Sequence, residues 1–404
     1  MVGAALGTFA ATEEPINPVR GRELMQKFQR GEALTPEERA YLDRVRQEIR
    51  KRSGQRPTDR PAAAASGPRN TNDWSRLIPL TDLTSTYQGE DGGLYGGGHN
   101  EPPAAHQAAY QKESEKIQPL DATGRPAPDG KIVLLTIGFS NTHMESEDFK
   151  RTADADPEKS PRVTIVDGAI GGRAAVMWAY DGSEVLPTSE QERLDKEMDV
   201  LHMPKQGRRV RAVTQERDSW PTLELRLKEA GVSAGQVQAV WMKHVEAGAS
   251  ALGEFPAHAK ALTADLADIL IIAKKRFPNL RVALFSSRTY GGWSSRTSGS
   301  PEPYAYESGF SVRWLIQKQI TGDPQLNFDP ARGEEKAPIA IWGPYLWTCG
   351  HQPRKTDGLI WSEQDVREDH LHPSNSGCHK VTELLLKFLK TDTGTHRWFV
   401  QSGK

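Results

Sequence analysis

Residues 131–142, Lys-Ile-Val-Leu-Leu-Thr-Ile-Gly-Phe-Ser-Asn-Thr, narrow what this chain can fold into more than any other stretch. Ile132 to Ile137 run without an interrupting charge. A short continuous run of Ile, Val and Leu is the pattern of a strand buried on both faces, as in a parallel sheet. Gly138 then permits a sharp turn at the strand end. Open α/β sheets bind ligands just beyond the carboxyl ends of their strands. Ser140 falls there, with its hydroxyl expected to be exposed. An ordinary polar turn and a nucleophile both fit this stretch taken alone.

The residues that follow alternate between strand and helix patterns. Val163–Val166, Val237–Met242, Leu280–Phe285 and Ile339–Trp342 read as further buried strands. Residues 173–180, 223–230, 255–277, 304–319 and 381–389 read as helices between or after them. Strands alternating with helices predict a parallel sheet with right-handed crossovers, a three-layer α/β domain over 131–392. The charged stretch 181–219 reads as an excursion over the surface.

Before this domain, residues 1–52 read as an α-helical hairpin, with Thr35-Pro36-Glu37-Glu38 as a capping box. Leu24, Met25 and Phe28 form the stripe of the first helix. Tyr41, Leu42, Val45 and Ile49 form that of the second. Residues 53–73 are a Pro/Ala-rich linker. Residues 74–130 are an irregular wrapping segment with a short helix near 104–117. Its Gly-rich loop 89–100 offers Tyr95 or His99 as a substrate contact, but its glycines neither follow a strand nor open a helix, so it is no phosphate cradle.

Lys and Arg number 52 against 53 Asp and Glu. That balance gives no general attraction to nucleic acid. No run reaches the roughly 18 apolar residues of a membrane span. Two cysteines are too few for a Cys-only zinc site. No metal or cofactor motif is present, and neither is expected. Met1–Thr12 is small and apolar without a basic start. It reads as the trimmed end of an atypical export signal or as an artificial extension.

Far downstream, Glu368-Asp369-His370-Leu371-His372-Pro373 precedes the last helix. An Asp three residues before a His can hold the imidazole's tautomer while the other ring nitrogen faces a nucleophile. With Ser140 at the end of the first sheet strand, this chain resembles the SGNH (GDSL-like) hydrolases over residues 131–392. Gly138-Phe139-Ser140-Asn141 is closest to the first block of the sialate and acetylxylan esterase branches. Gly172 matches the second block and Asp369 with His372 the last. The resemblance implies a flavodoxin-like sheet of five parallel strands and ester hydrolysis. It implies Ser140 as nucleophile, His372 as base and then acid, and Asp369 as its orienter. The oxyanion would be held by Ser140 and Gly172, joined by Lys243 or His244 where the family has an Asn. Phe139 stands where the family has an Asp.

Asn141, and Arg288, Tyr290 and Trp293 after the fourth strand, are the expected substrate contacts: Arg288 for a carboxylate, the aromatics for a sugar ring. His370 is an alternative base, and His379 reads as structural. The expected substrate is an acylated carbohydrate or another small ester. The rival reading is a non-catalytic carbohydrate-binding protein that kept the fold but lost the oxyanion Asn. Cys349 and Cys378 both fall near the same sheet edge. They are expected to pair, the alternative being two buried thiols, and a disulfide there would favour an exported protein.

Overall fold

The first strand, β1 (Ile132–Gly138), is buried along its whole length. It is flanked by β2 (Val163–Asp167) and β3 (Val237–Lys243), and β4 (Val282–Phe285) and β5 (Ile339–Trp342) extend the sheet. All pairings are parallel, in the order β2-β1-β3-β4-β5. This is the doubly wound order of flavodoxin-like sheets, whose ligands sit at the β1/β3 switch point. The computed structural model describes residues 20, 24, 35, 37–41, 44–45, 73–181, 192, 219–296, 298–350 and 352–401.

Strand side chains alternate between two cores. Val133, Leu135 and Ile137 pack on one face with Trp220, Leu223, Leu266 and Phe310. Ile132 and Leu134 pack on the other with Phe149, Val381 and Leu385. Helices α3 (Ser219–Glu229), α4 (Ala257–Arg276) and α5 (Tyr304–Ile320) cover the first face. Helices α2 (Ser140–Asp154) and α6 (Asn375–Thr391) pack together on the second. Burying each such Val, Leu or Ile contributes about 1.5–3 kcal/mol, which is why unbroken apolar runs become the inner strands.

The wrapping segment holds α1 (Ala104–Ser114) and buries Leu80, Leu83 and Leu94 in the first core. Arg313 on α5 holds its Gly-rich loop through Glu90 and Asp91, and Gln317 binds the Tyr95 carbonyl at 2.9 Å. Gln317 lies 13 residues after Tyr304, about 20 Å along α5 from its start. Tyr95 and its loop are therefore held far along α5 from the end that follows the β4 loop. Two local expectations also change. Residues 173–180 form only a 3-10 turn, Ala175–Met177, and a short α7 (His396–Phe399) follows α6.

The chain divides into two units, residues 1–64 and 65–404. In the first, Thr35 and Glu38 cap each other: Glu38 N–H donates to Thr35 Oγ1 at 3.2 Å, and Thr35 N–H to Glu38 Oε2 at 2.9 Å. Tyr41 is buried there, with the Arg20 and Arg44 guanidinium groups over its ring. The hairpin's Met25, Phe28, Leu42 and Ile49, the linker apart from Asp73, and nearly all of the 181–219 excursion lie outside the described residues.

Candidate active site

Ser140 opens α2 directly after β1. Gly138 allows this, because a Cβ there would lie 2.4 Å from the Lys243 carbonyl oxygen and 2.4 Å from Thr142 Oγ1. Thr142 Oγ1 donates to that carbonyl at 2.8 Å, tying the first turn of α2 to the end of β3. The cap residue, Phe139, makes no side-chain hydrogen bond to the helix. The first amides of α2 are thus left without a side-chain acceptor, at the positive end of a 15-residue helix.

The last loop meets this serine. Ser140 Oγ lies 2.9 Å from His372 Nε2, and His372 Nδ1 lies 2.6 Å from Asp369 Oδ2. The loop is closed by Arg367 N–H donating to the His372 carbonyl at 2.8 Å. The other Asp369 oxygen accepts the backbone N–H groups of Leu371 and His372 at 3.1 and 3.0 Å. Burial pushes the Asp369 carboxyl up. Hydrogen bonds from the His372 ring and from these amides outweigh it and hold the group down at about 2. Asp369 is therefore ionised at neutral pH and, as acceptor to His372 Nδ1, orients the ring with Nε2 towards Ser140. His370, at φ +55°, makes the bend between the two. It takes no part in the Ser140–His372–Asp369 chain.

Gly171 faces the serine from the β2 loop, with Gly172 beside it in the chain. A Cβ on Gly171 would sit 3.9 Å from Ser140 Cβ. Gly172 has φ +77°, a conformation that favours glycine. Both are exposed, so this side of the serine is open.

The β3 end departs from what the sequence suggested. Lys243 is fully buried and its ammonium bonds Glu145 of α2 at 2.5 Å. Burial lowers the Lys243 pKa and raises that of Glu145, and their mutual attraction opposes both shifts. A cation held on that carboxylate beneath the helix is not aimed at an oxyanion. His244 is the group next to the serine turn. Its ring stacks on Phe139 at 6.4 Å and meets Trp178 edge-on at 6.0 Å. Burial alone drives its pKa down to about 3, so it is a neutral imidazole. Neither of its ring nitrogens has a partner among the described residues.

Three of the four expected substrate contacts are enclosed by the protein. Asn141 is 1% exposed and donates to the Leu371 carbonyl at 3.1 Å. Arg288, also 1% exposed, donates to the same carbonyl at 3.3 Å and to Ser300 O at 3.4 Å. Trp293 is 6% exposed in the second core, its ring edge-on to Tyr290 at 4.7 Å. Tyr290 alone keeps some exposure.

The cysteines do not pair. Both are free and buried, Cys349 in the first core with its thiol 3.2 Å from Trp74 O, and Cys378 on α6 near Glu145 and Lys243. Lying near one sheet edge did not bring them to the same face. Burial pushes the thiols up to about 11 and about 12.

Several residues at the site were not singled out from the sequence. Glu145 had a signal: it lies four and eight residues before Phe149 and Ala153, on the inward stripe of α2. His143 pairs with Asp167 one turn after Ser140, and the half-exposed Arg296 comes within 3.8 Å of Asp369. Buried Glu302 accepts from Gly291 N–H, Trp347 Nε1–H and Tyr306 N–H, fixing the loop after β4. Searched for likenesses, the chain matches no family model, no curated protein and no solved structure.

Proposed function

We propose that this chain is a serine ester hydrolase. One observation carries the reading: a strand-end hydroxyl, an imidazole and an ionised carboxylate lie in hydrogen-bonded series, 2.9 and 2.6 Å apart, at the carboxyl edge of the sheet. His372 Nε2 takes the proton as Ser140 Oγ attacks the ester carbonyl. Asp369 stabilises the imidazolium so formed. His372 then delivers the proton to the leaving alcohol. A water, activated by the same nitrogen, attacks the acyl-enzyme and releases the acid.

The oxyanion needs donors aimed at where its charge develops. The Ser140 N–H, at the start of α2, and the Gly172 N–H are the backbone candidates. His244 is the side-chain candidate in place of the family's Asn. A neutral imidazole can donate without the desolvation cost of a buried cation. The substrate proposed is a small acylated alcohol. An acylated carbohydrate rests on the resemblance alone, since Trp293 has no free face for a sugar.

The test is hydrolysis of p-nitrophenyl acetate by the wild type and by Ser140→Ala. The variant is expected to lose about four orders of magnitude or more in kcat/KM. Equal rates would discard the esterase and favour a binding protein.

A further inference from the structure

The Leu371 peptide lies between the two residues that would orient and perform the proton transfer, and it is held at both ends. Its N–H donates to Asp369 Oδ1 at 3.1 Å. Its carbonyl accepts from Asn141 Nδ2 at 3.1 Å and from Arg288 Nη2 at 3.3 Å. Asn141 is the neighbour of Ser140 on α2, and Arg288 comes three residues after β4.

Arg288 is itself fixed. The Arg288 N–H donates to Ser308 Oγ of α5 at 3.1 Å, and its Nε to Ser300 O at 3.4 Å. Ser300 in turn donates through Oγ to Glu246 O at 3.1 Å. The Arg288 guanidinium lies 5.2 Å from the centre of the Phe139 ring, so the cap residue of α2 is part of the same assembly. Arg288 keeps its charge: burial lowers its pKa only to about 10, with Glu145, Glu302 and Asp369 opposing the shift.

We infer that Asn141 and Arg288 are positioning residues that lock the Leu371 carbonyl and thereby hold His372 Nε2 on Ser140 Oγ. This rests on the esterase reading but adds to it. The serine's own neighbour grips the imidazole's neighbour, so nucleophile and base move as one body. Both donors are too deeply enclosed to meet substrate. A charge-assisted bond from Arg288 and a neutral one from Asn141 together occupy both lone pairs of one carbonyl. Loss of either loosens the loop, and a misplacement of about 1 Å costs about a hundredfold in rate.

Asn141→Leu, close in volume but without a donor, and Arg288→Met are compared with the wild type and with Arg288→Lys. The brace predicts kcat falling about ten- to a hundredfold, KM held within about twofold, and partial recovery in Arg288→Lys. It also predicts a shift or broadening of the low-field proton NMR signal of the His372–Asp369 hydrogen bond. A raised KM with kcat kept would make these residues substrate contacts and overturn the inference, as would wild-type kcat with an unmoved proton signal. Should Arg288→Met not fold, Asn141→Leu and Arg288→Lys decide it. Should the wild type show no Ser140-dependent hydrolysis, the esterase falls, and the proton signal still reads the brace.

Discussion

The two halves of the site are built differently. The proton-transfer half, Ser140 with His372 and Asp369, is made of short local pieces. A strand end meets a helix start, and a six-residue turn folds back on its own carboxylate. Each side-chain polar atom of that series has a partner among the described residues. The half proposed to hold the oxyanion, between the starts of α2 and of the β2 loop and the end of β3, has atoms without partners among the described residues: both nitrogens of His244 and an α2 terminus with no side-chain cap. The first half is complete in the resting protein. On the proposed reading, the developing oxyanion would supply the partner missing from the second.

This contrast orders the expected effects. Asp369→Asn breaks the first half most sharply. It leaves the shape but favours the wrong tautomer of His372, and kcat should fall by about 10⁴. A loss under tenfold would mean the carboxylate only shapes the loop.

Next is the support beneath the second half. Lys243→Met leaves Glu145 buried and unpaired, which should cost about 3–5 kcal/mol of stability. Lys243→Met with Glu145→Leu should recover most of it, since an apolar pair has no charge to desolvate. Urea denaturation of the single and double variants reads this. Lys243→Met as stable as wild type would show that the pair is not needed.

His244→Leu sharpens the comparison directly. If the imidazole donates to the oxyanion, kcat falls about a hundred- to a thousandfold with little change in KM. An unchanged kcat would leave the work to the backbone N–H groups of Ser140 and Gly172 alone.

The smallest effect is on acid stability. Asp369 binds its proton more weakly folded, at about 2, than at its ordinary value near 4. Its contribution is therefore present above pH 4 and lost as pH falls from about 4 to 2. It is on the order of 2 kcal/mol, and thermal melts of Asp369→Asn should show a flatter fall over that range.

The sheet was legible because buried parallel strands leave unbroken apolar runs. Ile339–Trp342 carries the same bounds in sequence and structure, and the strands that alternate with helices pair in parallel throughout. The spacing of Asp369 and His372 was legible because the turn is local. What failed was side-chain direction. Arg288 and Lys243 looked like cations facing substrate. Both instead turn inward, to a carbonyl and to a carboxylate that lie more than 80 residues away. Trp293 looked like a stacking platform and is packed in the core. The two cysteines sit near one edge but not on one face. Residue type and order do not encode which way a strand-end side chain turns, because partners from distant elements decide it.

The most direct test is covalent. A fluorophosphonate offers a phosphorus centre to any serine whose hydroxyl is deprotonated by a neighbouring base. Intact-mass and peptide analysis should find one adduct, on Ser140, abolished in His372→Ala and retained in His370→Ala. An unlabelled protein, a label on another residue, or labelling unaffected by the loss of His372 would contradict the account.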